Sequence, residues 1–241
     1  MDFDEVVAFA SSFPASMPPL VVDIDGTLTD DNRAIDPRVF PVLRAWPETV
    51  VVATGKALPY PVGLCEFLGI EPLVIAENGG VALNGYDGIF FEGDREAAAA
   101  VVDAYRAEGY DTGWGTVDLV NRWRETEMAI SRDSPLAPLE QLAAEHGLEV
   151  VDTGYAYHIK TAEMSKGNGL SRLAQELGRE PTEFIAVGDS VNDVSAFERA
   201  GTGIAVANGD KKARAAADHV TERKFVDGFL EAIHWIQRER A

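Results

Sequence analysis

Residues 20–27 read LVVDIDGT, a short apolar run that ends in two carboxylates and a tight turn. The run Leu20–Ile24 is rich in β-branched side chains, which is typical of a strand covered on both faces in a parallel sheet. Side chains alternate along a strand, so Asp23 and Asp25 point the same way. Ligands of open α/β sheets bind beyond the carboxyl ends of the strands. Two carboxylates placed there, with no neighbouring arginine, need a cation or must titrate abnormally.

Apolar runs of the same kind recur along the chain, with helical patterns between them. Strand–helix alternation implies right-handed crossovers and a doubly wound, Rossmann-like parallel sheet, so the expected fold class is α/β. The further strands are expected at Thr49–Ala53, Leu73–Ala76, Phe184–Val187 and Gly203–Val206. The helices are expected at Pro37–Trp46, Pro59–Leu68, Gly167–Leu177, Asn192–Ala200, Lys211–Ala217 and Phe225–Arg238.

The middle of the chain breaks this alternation. A hairpin is expected around residues 84–88, and helices and strands without the βα order follow it. This pattern is typical of a separate α+β module inserted into the α/β domain. We expect an N-terminal extension at residues 1–16, as a short helix or a frayed tail, and a core formed by residues 17–83 and 158–241. The inserted domain is expected at residues 84–157.

A second acidic motif, GDSVND at Gly188–Asp193, follows the strand Phe184–Val187 and runs into a helix. Its carboxylates Asp189 and Asp193 therefore lie beyond the carboxyl end of another strand. Short carboxylates that offer only oxygen ligands suit Mg²⁺, which keeps waters and substrate oxygens in its coordination shell.

Two further polar groups belong to the same pattern. Thr54 and Gly55 follow the strand Thr49–Ala53, where a hydroxyl and a free amide can hold phosphoryl oxygens. Lys166 opens a helix, and a fixed ammonium there can neutralise a phosphate and a nucleophile. Each signal alone is weak, since a lysine at a helix start is usually solvated. Together they are stronger, because three motifs end three strands of one sheet and Lys166 opens a helix that packs against that sheet. We therefore interpret these residues as one site.

Composition restricts the classes of partner. The chain has 241 residues, with 21 Lys plus Arg against 40 Asp plus Glu, which gives a formal net charge of −19. Such a charge repels nucleic acid, although a metal ion or a local cluster of amides and lysine can still admit a small phosphorylated metabolite. An acidic, lysine-poor surface is typical of halophilic archaea, whose salt-rich cytoplasm screens self-repulsion. Cys65 is the single cysteine, so an internal disulfide is excluded.

Targeting signals are not evident in the sequence. No apolar run approaches the ~20 residues that a membrane helix needs. Residues 1–16 contain acids and lack the basic start and apolar middle of a secretory signal. A cytoplasmic protein without a membrane partner is expected, and a homodimer is left open.

At these motifs the chain resembles the haloacid dehalogenase superfamily of phosphohydrolases, whose motifs follow the same order. The match spans residues 19–238, and the insertion falls between Thr54 and Lys166, where that family carries its C2-type cap domain. The stretch IAENGG at Ile75–Gly80 is similar to archaeal phosphoglycolate phosphatases, and also to sucrose-phosphate and Cof-type sugar phosphatases. Lys56 departs from the family pattern, which often has Asn or Arg there, and so leaves the substrate in doubt.

The resemblance implies catalytic and metal-binding roles for the four aspartates. Asp23 is implied to be the nucleophile that forms an aspartyl-phosphate. Asp25 is implied to protonate the leaving oxygen and then to deprotonate the attacking water. The implied Mg²⁺ ligands are Asp23, the main-chain carbonyl of Asp25 and Asp189, with Asp193 orienting the coordination shell.

The same resemblance implies that Thr54, Gly55, Asn192 and Lys166 hold the phosphoryl oxygens. It also implies that the cap closes over the pocket and contacts the rest of the substrate. The expected reaction is Mg²⁺-dependent hydrolysis of 2-phosphoglycolate. A broad-range sugar-phosphate phosphatase is the main alternative, followed by a phosphomutase and a non-catalytic binding module.

Three arginines lie in the middle of the expected cap: Arg122, Arg124 and Arg132. A carboxylated substrate would favour an arginine, because the guanidinium fork matches a carboxylate. The alternative is that these are surface charges or partners of Glu125 and Glu127. Arg124 is the strongest candidate for a substrate contact, and His158, near the end of the cap, is the histidine of most interest.

Overall fold

The computed structural model describes residues 1–240 and contains eleven strands and nine α-helices in that range. The strands are β1 (Leu20–Asp23), β2 (Val50–Ala53), β3 (Leu73–Ala76), β4 (Val81–Asn84), β5 (Gly88–Phe91), β6 (Met128–Ser131), β7 (Glu149–Asp152), β8 (Ala156–Lys160), β9 (Ile185–Gly188), β10 (Thr202–Ala205) and β11 (His219–Val220). The helices are α1 (Phe3–Ala10), α2 (Val39–Ala45), α3 (Pro59–Leu68), α4 (Arg95–Ala107), α5 (Leu136–Glu145), α6 (Lys166–Glu176), α7 (Val194–Arg199), α8 (Lys211–Ala216) and α9 (Phe225–Arg240).

Eight strands form one sheet in the order β11-β10-β9-β1-β2-β3-β4-β5. The strands from β11 to β3 are parallel, and the β4–β5 hairpin adds two antiparallel strands at one edge. In the centre, Val22 lies between Val52 on β2 and Val187 on β9. The predicted α/β fold with a doubly wound parallel sheet is therefore confirmed.

Both faces of this sheet are covered, as the continuous apolar runs predicted. Leu20 and Val22 on one face pack into a core with residues of α1, α2 and α9. Val21, on the opposite face, packs with residues of α6, α7 and α8. This alternation directs the strand ends, and the polar residues that follow them, to one edge of the sheet.

The N-terminal residues 1–16 include a helix that packs on this core. Asp2 and Glu5 form reciprocal hydrogen bonds, each carboxylate accepting from the other residue's backbone N–H, which caps the start of α1. Val6 is fully buried, and the Phe9 ring stacks on His234 of α9 with their centroids 3.8 Å apart. Of the two expectations for this segment, the structure shows the helix.

A second, three-stranded antiparallel sheet has the order β6-β8-β7, and α4 and α5 share a separate hydrophobic core with it. This is the small antiparallel module that the sequence predicted. Its boundaries at residues 84 and 157 stay a prediction. Strand pairing places Gly88–Phe91 in the large sheet and all of Ala156–Lys160 in the small one, so a module defined by its own sheet covers residues 92–160.

Gly79 provides a test of how the core loops are packed. Its φ is +99°, and a Cβ atom there would lie 1.9 Å from the carbonyl oxygen of Ser165, the residue that caps α6. We expect Gly79→Ala to lower the free energy of unfolding by on the order of 2–4 kcal/mol through backbone strain and overpacking. Denaturant unfolding at constant high salt measures this.

Gly63→Ala is the matched control, because Gly63 lies within α3 and a Cβ atom there would have no neighbour within 4 Å. Removing glycine from a helix interior should raise stability by about 0.5–1 kcal/mol. Equal effects of the two substitutions would contradict the close packing of Gly79 against Ser165.

Candidate active site

The polar residues that follow β1, β2 and β9 meet beside one cavity of about 230 Å³. Five residues of the predicted site line its wall: Asp23, Asp25, Gly55, Asp189 and Asn192. The other three, Thr54, Lys166 and Asp193, are buried and do not line this cavity. The structure thus brings the predicted residues together in two layers, with the charged groups of the buried layer supporting those at the cavity wall.

Lys166 is the centre of the buried layer. Its ammonium donates to Oδ1 of Asp23 and to Oδ1 of Asp193, at 2.6 Å in each case. The side chain is fully buried at the start of α6, where the Ser165 hydroxyl accepts from the Asn168 N–H and caps the helix. Burial opposes the charge, but the two carboxylates outweigh it and hold the pKa of Lys166 above its usual range.

Three carboxylates, those of Asp23, Asp189 and Asp193, have oxygens within 4.8 Å of one another. Burial, together with the neighbouring negative charges, holds the pKa values of Asp23 and Asp189 above their ordinary range despite the opposing charge of Lys166. One ammonium therefore does not balance the cluster.

The cluster fits a divalent cation. Oδ2 of Asp23 is buried and has no hydrogen-bond partner among residues 1–240, so one oxygen is left for a ligand. The atoms available as metal ligands are all carboxylate oxygens, a ligand type that Mg²⁺ prefers. Gly26 makes room for them, because a Cβ atom there would lie 2.2 Å from Oδ2 of Asp189.

Asp25 is held outside this carboxylate cluster. The Lys56 ammonium lies 2.7 Å from its Oδ2 and 2.9 Å from its Oδ1. The sequence stretch has no neighbouring arginine, and the pairing cation comes from the loop after β2 instead. Lys56, the departure from the family pattern, thus fixes the Asp25 carboxylate at the cavity wall.

The residues expected to hold phosphoryl oxygens have partners of their own. The Thr54 hydroxyl accepts from the Lys56 N–H at 3.1 Å, which shapes the turn after β2. The Asn192 amide donates to Oδ1 of Asn78 at 3.1 Å. The Gly55 carbonyl accepts from both terminal nitrogens of Arg124, at 3.1 Å each.

A buried network joins this wall to the small module, and of its contacts the sequence analysis had weighed only the pairing of Arg124 with Glu127, as an alternative. Glu127 is fully buried, where its carboxylate contacts Arg124 and accepts from Nδ1 of His158 at 2.8 Å. Asn78 donates to the same carboxylate at 3.3 Å. Burial alone would raise the pKa of Glu127, but His158 and Arg124 outweigh it and hold that pKa below its usual range.

The neighbouring residue Glu77 forms a second bridge between core and module. Its carboxylate accepts from the backbone N–H groups of Glu125 and Thr126 and from the Thr126 hydroxyl, at 2.7–3.0 Å. Glu77 and Asn78 have φ angles of 52° and 55°, in the left-handed region. Such strain persists where surrounding contacts hold it, and here both side chains bond across the junction. The stretch Ile75–Gly80 was the available sequence signal.

At the cavity mouth, core and module also meet through Arg33 and Tyr155. The Arg33 guanidinium lies over the Tyr155 ring, 4.1 Å from its centroid. Arg33 belongs to the loop between Thr29 and Ile35, which pair as an isolated bridge. The cavity is thus walled by the core on one side and by the small module on the other.

Comparisons with known proteins agree with this arrangement. The family model for haloacid dehalogenase-like hydrolases matches residues 139–233. The chain also shares the fold of a protein from Thermoplasma acidophilum, with a TM-score of 0.79, 23% identity and coverage of 92% of this chain and 99% of the other. For a haloacid dehalogenase-like hydrolase from Bacteroides thetaiotaomicron the TM-score is 0.73, with 22% identity and coverage of 91% and 99%. The two solved structures establish the shared fold.

Two relatives are much more similar in sequence. The phosphoglycolate phosphatase of Natronomonas pharaonis is 60% identical, over 89% of this chain and 96% of the relative. That of Haloarcula marismortui is 57% identical, over 90% of this chain and 96% of the relative. The chain therefore belongs to the haloacid dehalogenase-like hydrolases, in the family that these phosphoglycolate phosphatases represent. Its halophilic archaeal homologues confirm the expectation drawn from the acidic, lysine-poor composition.

A search of the described helices for a long apolar segment found none that could cross a membrane.

Glu127 provides a test of the buried network. We expect Glu127→Gln to lower the free energy of unfolding at neutral pH by about 3 kcal/mol, because Arg124 is left buried without its carboxylate. Since folding lowers the pKa of Glu127, its stabilisation is complete above the ordinary value of 4.5 and is lost as the pH falls through the lowered value. The difference from wild type should therefore shrink on acidification. Urea unfolding across a pH series at constant salt measures it.

Glu125→Gln is the control, because Glu125 is exposed two residues away. It should change stability by less than about 0.5 kcal/mol at every pH. A Glu127→Gln variant as stable as wild type at neutral pH would show that the network does not stabilise the junction.

Proposed function

We propose that the protein hydrolyses a small phosphomonoester, 2-phosphoglycolate, to glycolate and phosphate in a Mg²⁺-dependent reaction. The observation that carries this proposal is the unpartnered, buried Oδ2 of Asp23 beside the carboxylates of Asp189 and Asp193. The names of the similar proteins from Natronomonas pharaonis and Haloarcula marismortui support the choice of substrate.

In the first half of the proposed reaction, a carboxylate oxygen of Asp23 attacks phosphorus and the ester P–O bond breaks. Asp25, at the same wall, gives its proton to the departing glycolate oxygen. Lys166, fixed at 2.6 Å from Asp23, stabilises the charge that gathers around the nucleophile. The product on the protein is an aspartyl-phosphate.

In the second half, Asp25 takes a proton from water as the water oxygen attacks phosphorus. The bond between phosphorus and the Asp23 oxygen breaks, which releases phosphate and restores both carboxyl groups. Lys56 stabilises the Asp25 carboxylate from which the second half begins. Gly55 and Asn192 line the cavity and are proposed to orient the phosphoryl oxygens, with Thr54 shaping the turn.

Mg²⁺ would be held by Asp23, Asp189 and the main-chain carbonyl of Asp25, with Asp193 orienting the shell, and it would screen the phosphoryl charge from the attacking carboxylate. Asp193 supports this arrangement by accepting from the backbone N–H groups of Asp189 and Ser190 at 3.0 and 2.9 Å.

The size of the cavity is in keeping with a small substrate. Its volume of about 230 Å³ is below the range of about 300–1,000 Å³ common for drug-sized ligands. We further propose that the enzyme acts in the cytoplasm, in keeping with its acidic composition. A homodimer stays a prediction, which light scattering at high salt would test.

Phosphate release from a substrate panel tests the proposed function. The panel holds 2-phosphoglycolate, sugar phosphates and an aryl phosphate, each at high salt with Mg²⁺ and with EDTA. We expect a preference for 2-phosphoglycolate of at least about tenfold in kcat/KM, and loss of release with EDTA. Equal activity on sugar phosphates would support the broad-range alternative, and no release from a folded protein would favour a phosphomutase or a binding module.

Asp23→Asn tests the nucleophile. The amide is nearly isosteric but a poor nucleophile, so we expect kcat to fall at least about 1,000-fold. Circular dichroism and the melting temperature should remain near wild type, because Lys166 keeps Asp193 as a partner.

Asp103→Asn is the control, since its side chain is 79% exposed on α4, and it should leave kcat unchanged. Retained turnover in Asp23→Asn would place the nucleophile elsewhere.

A further inference from the structure

We propose that His158 binds the carboxylate of the substrate through its Nε2 atom and so sets the preference for a carboxylated phosphomonoester. This inference rests on the proposed function. It assigns a specificity-determining role to a side chain of the small module.

The position of His158 is unusual for a histidine. Its exposed fraction is 2%, yet its ring lines the active-site cavity. Nδ1 lies 2.8 Å from the buried carboxylate of Glu127 and 3.1 Å from the amide nitrogen of Asn78, and Nε2 has no hydrogen-bond partner among residues 1–240. The ring is therefore held at Nδ1 and has Nε2 left for a ligand.

The partners of His158 allow that nitrogen to bind an anion. In a ring that donates from both nitrogens, Nδ1–H would bond to Glu127 and Nε2–H to a substrate carboxylate. Arg124 and His158 both contact the one carboxylate of Glu127, so two basic side chains share a single acid there. A substrate carboxylate would complete the balance with a charge-assisted hydrogen bond.

Arg124, which the sequence favoured as the contact to the substrate carboxylate, makes its hydrogen bonds within the protein instead. Its Nε donates to the Val120 carbonyl, and its terminal nitrogens contact the Gly55 carbonyl and Glu127. We therefore assign Arg124 to positioning of Glu127 and of the Gly55 turn, and the substrate contact to His158.

Arg33 is the rival cation at this cavity, because no carboxylate among the described residues pairs with it. It is exposed at the mouth and lies over Tyr155. His158 is instead buried and fixed by a bonded carboxylate, which gives it the lower reorganisation cost on binding.

The test compares 2-phosphoglycolate with ethyl phosphate, a phosphomonoester of the same carbon number without the carboxylate. We expect His158→Gln to lower kcat/KM for 2-phosphoglycolate on the order of 10- to 100-fold, the loss of one hydrogen bond to a charged group. Ethyl phosphate should change by less than about twofold, because it makes no such bond. His158→Asn is a second variant in case His158→Gln does not fold, which circular dichroism would reveal.

His146→Gln is the matched control, the same substitution at an exposed site of the same module, and it should leave both substrates unaffected. Arg33→Gln tests the rival residue. The inference is overturned if folded His158 variants keep the substrate preference, if they lose activity on both substrates equally, or if Arg33→Gln alone removes the preference.

The wild-type protein separates this inference from the proposed function. If it prefers another carboxylated phosphomonoester and His158→Gln removes that preference, the carboxylate contact stands and 2-phosphoglycolate is wrong. If it does not discriminate between phosphomonoesters with and without a carboxylate, both proposals fail.

Discussion

The buried ammonium of Lys166, 2.6 Å from both Asp23 and Asp193, is the interaction on which the site depends. Folding brings β1 and β9 side by side, and their acidic motifs then lie within a few ångströms of each other. Carboxylates gathered and buried in this way would repel one another and favour protonation. A cation placed between two of them offsets part of this repulsion, so the same contact supports both the fold of the strand ends and their chemistry.

Much of the fold could be predicted because its signals are local. The helix expected at Pro59–Leu68 and the strand at Leu73–Ala76 have those bounds in the structure. The two-residue strand His219–Val220 was missed, since so short a polar-flanked segment has no detectable period. The pairing of Gly88–Phe91 with the large sheet was not readable either, because a hairpin's sequence does not say which sheet it extends.

The candidate site likewise combines residues that the sequence could predict with contacts that it could not. Asp23 and Asp189 were predictable because each ends a recognisable strand. The pairing of Lys56 with Asp25 joins residues 31 positions apart, and that of His158 with Glu127 joins residues 31 apart in another module. Such pairs depend on how loops pack in three dimensions. Arg124 shows the consequence, since its residue type was suited to a substrate carboxylate while its place in the fold directs its donors to the protein.

An enzyme with a net charge of −19 must still attract a substrate with a negatively charged phosphoryl group, and the burial of its cations explains how. Exposed charges are screened within about 3 Å at molar salt, so the acidic surface exerts little force on a substrate at the cavity. Lys166 and Arg124 are each at most 4% exposed, and their charges act through a medium of low dielectric that salt does not reach. High salt therefore weakens the repulsion from the surface more than the attraction inside. An acidic surface and an anion-binding site are therefore compatible, because the acidic side chains lie at the surface and the cations of the site are buried.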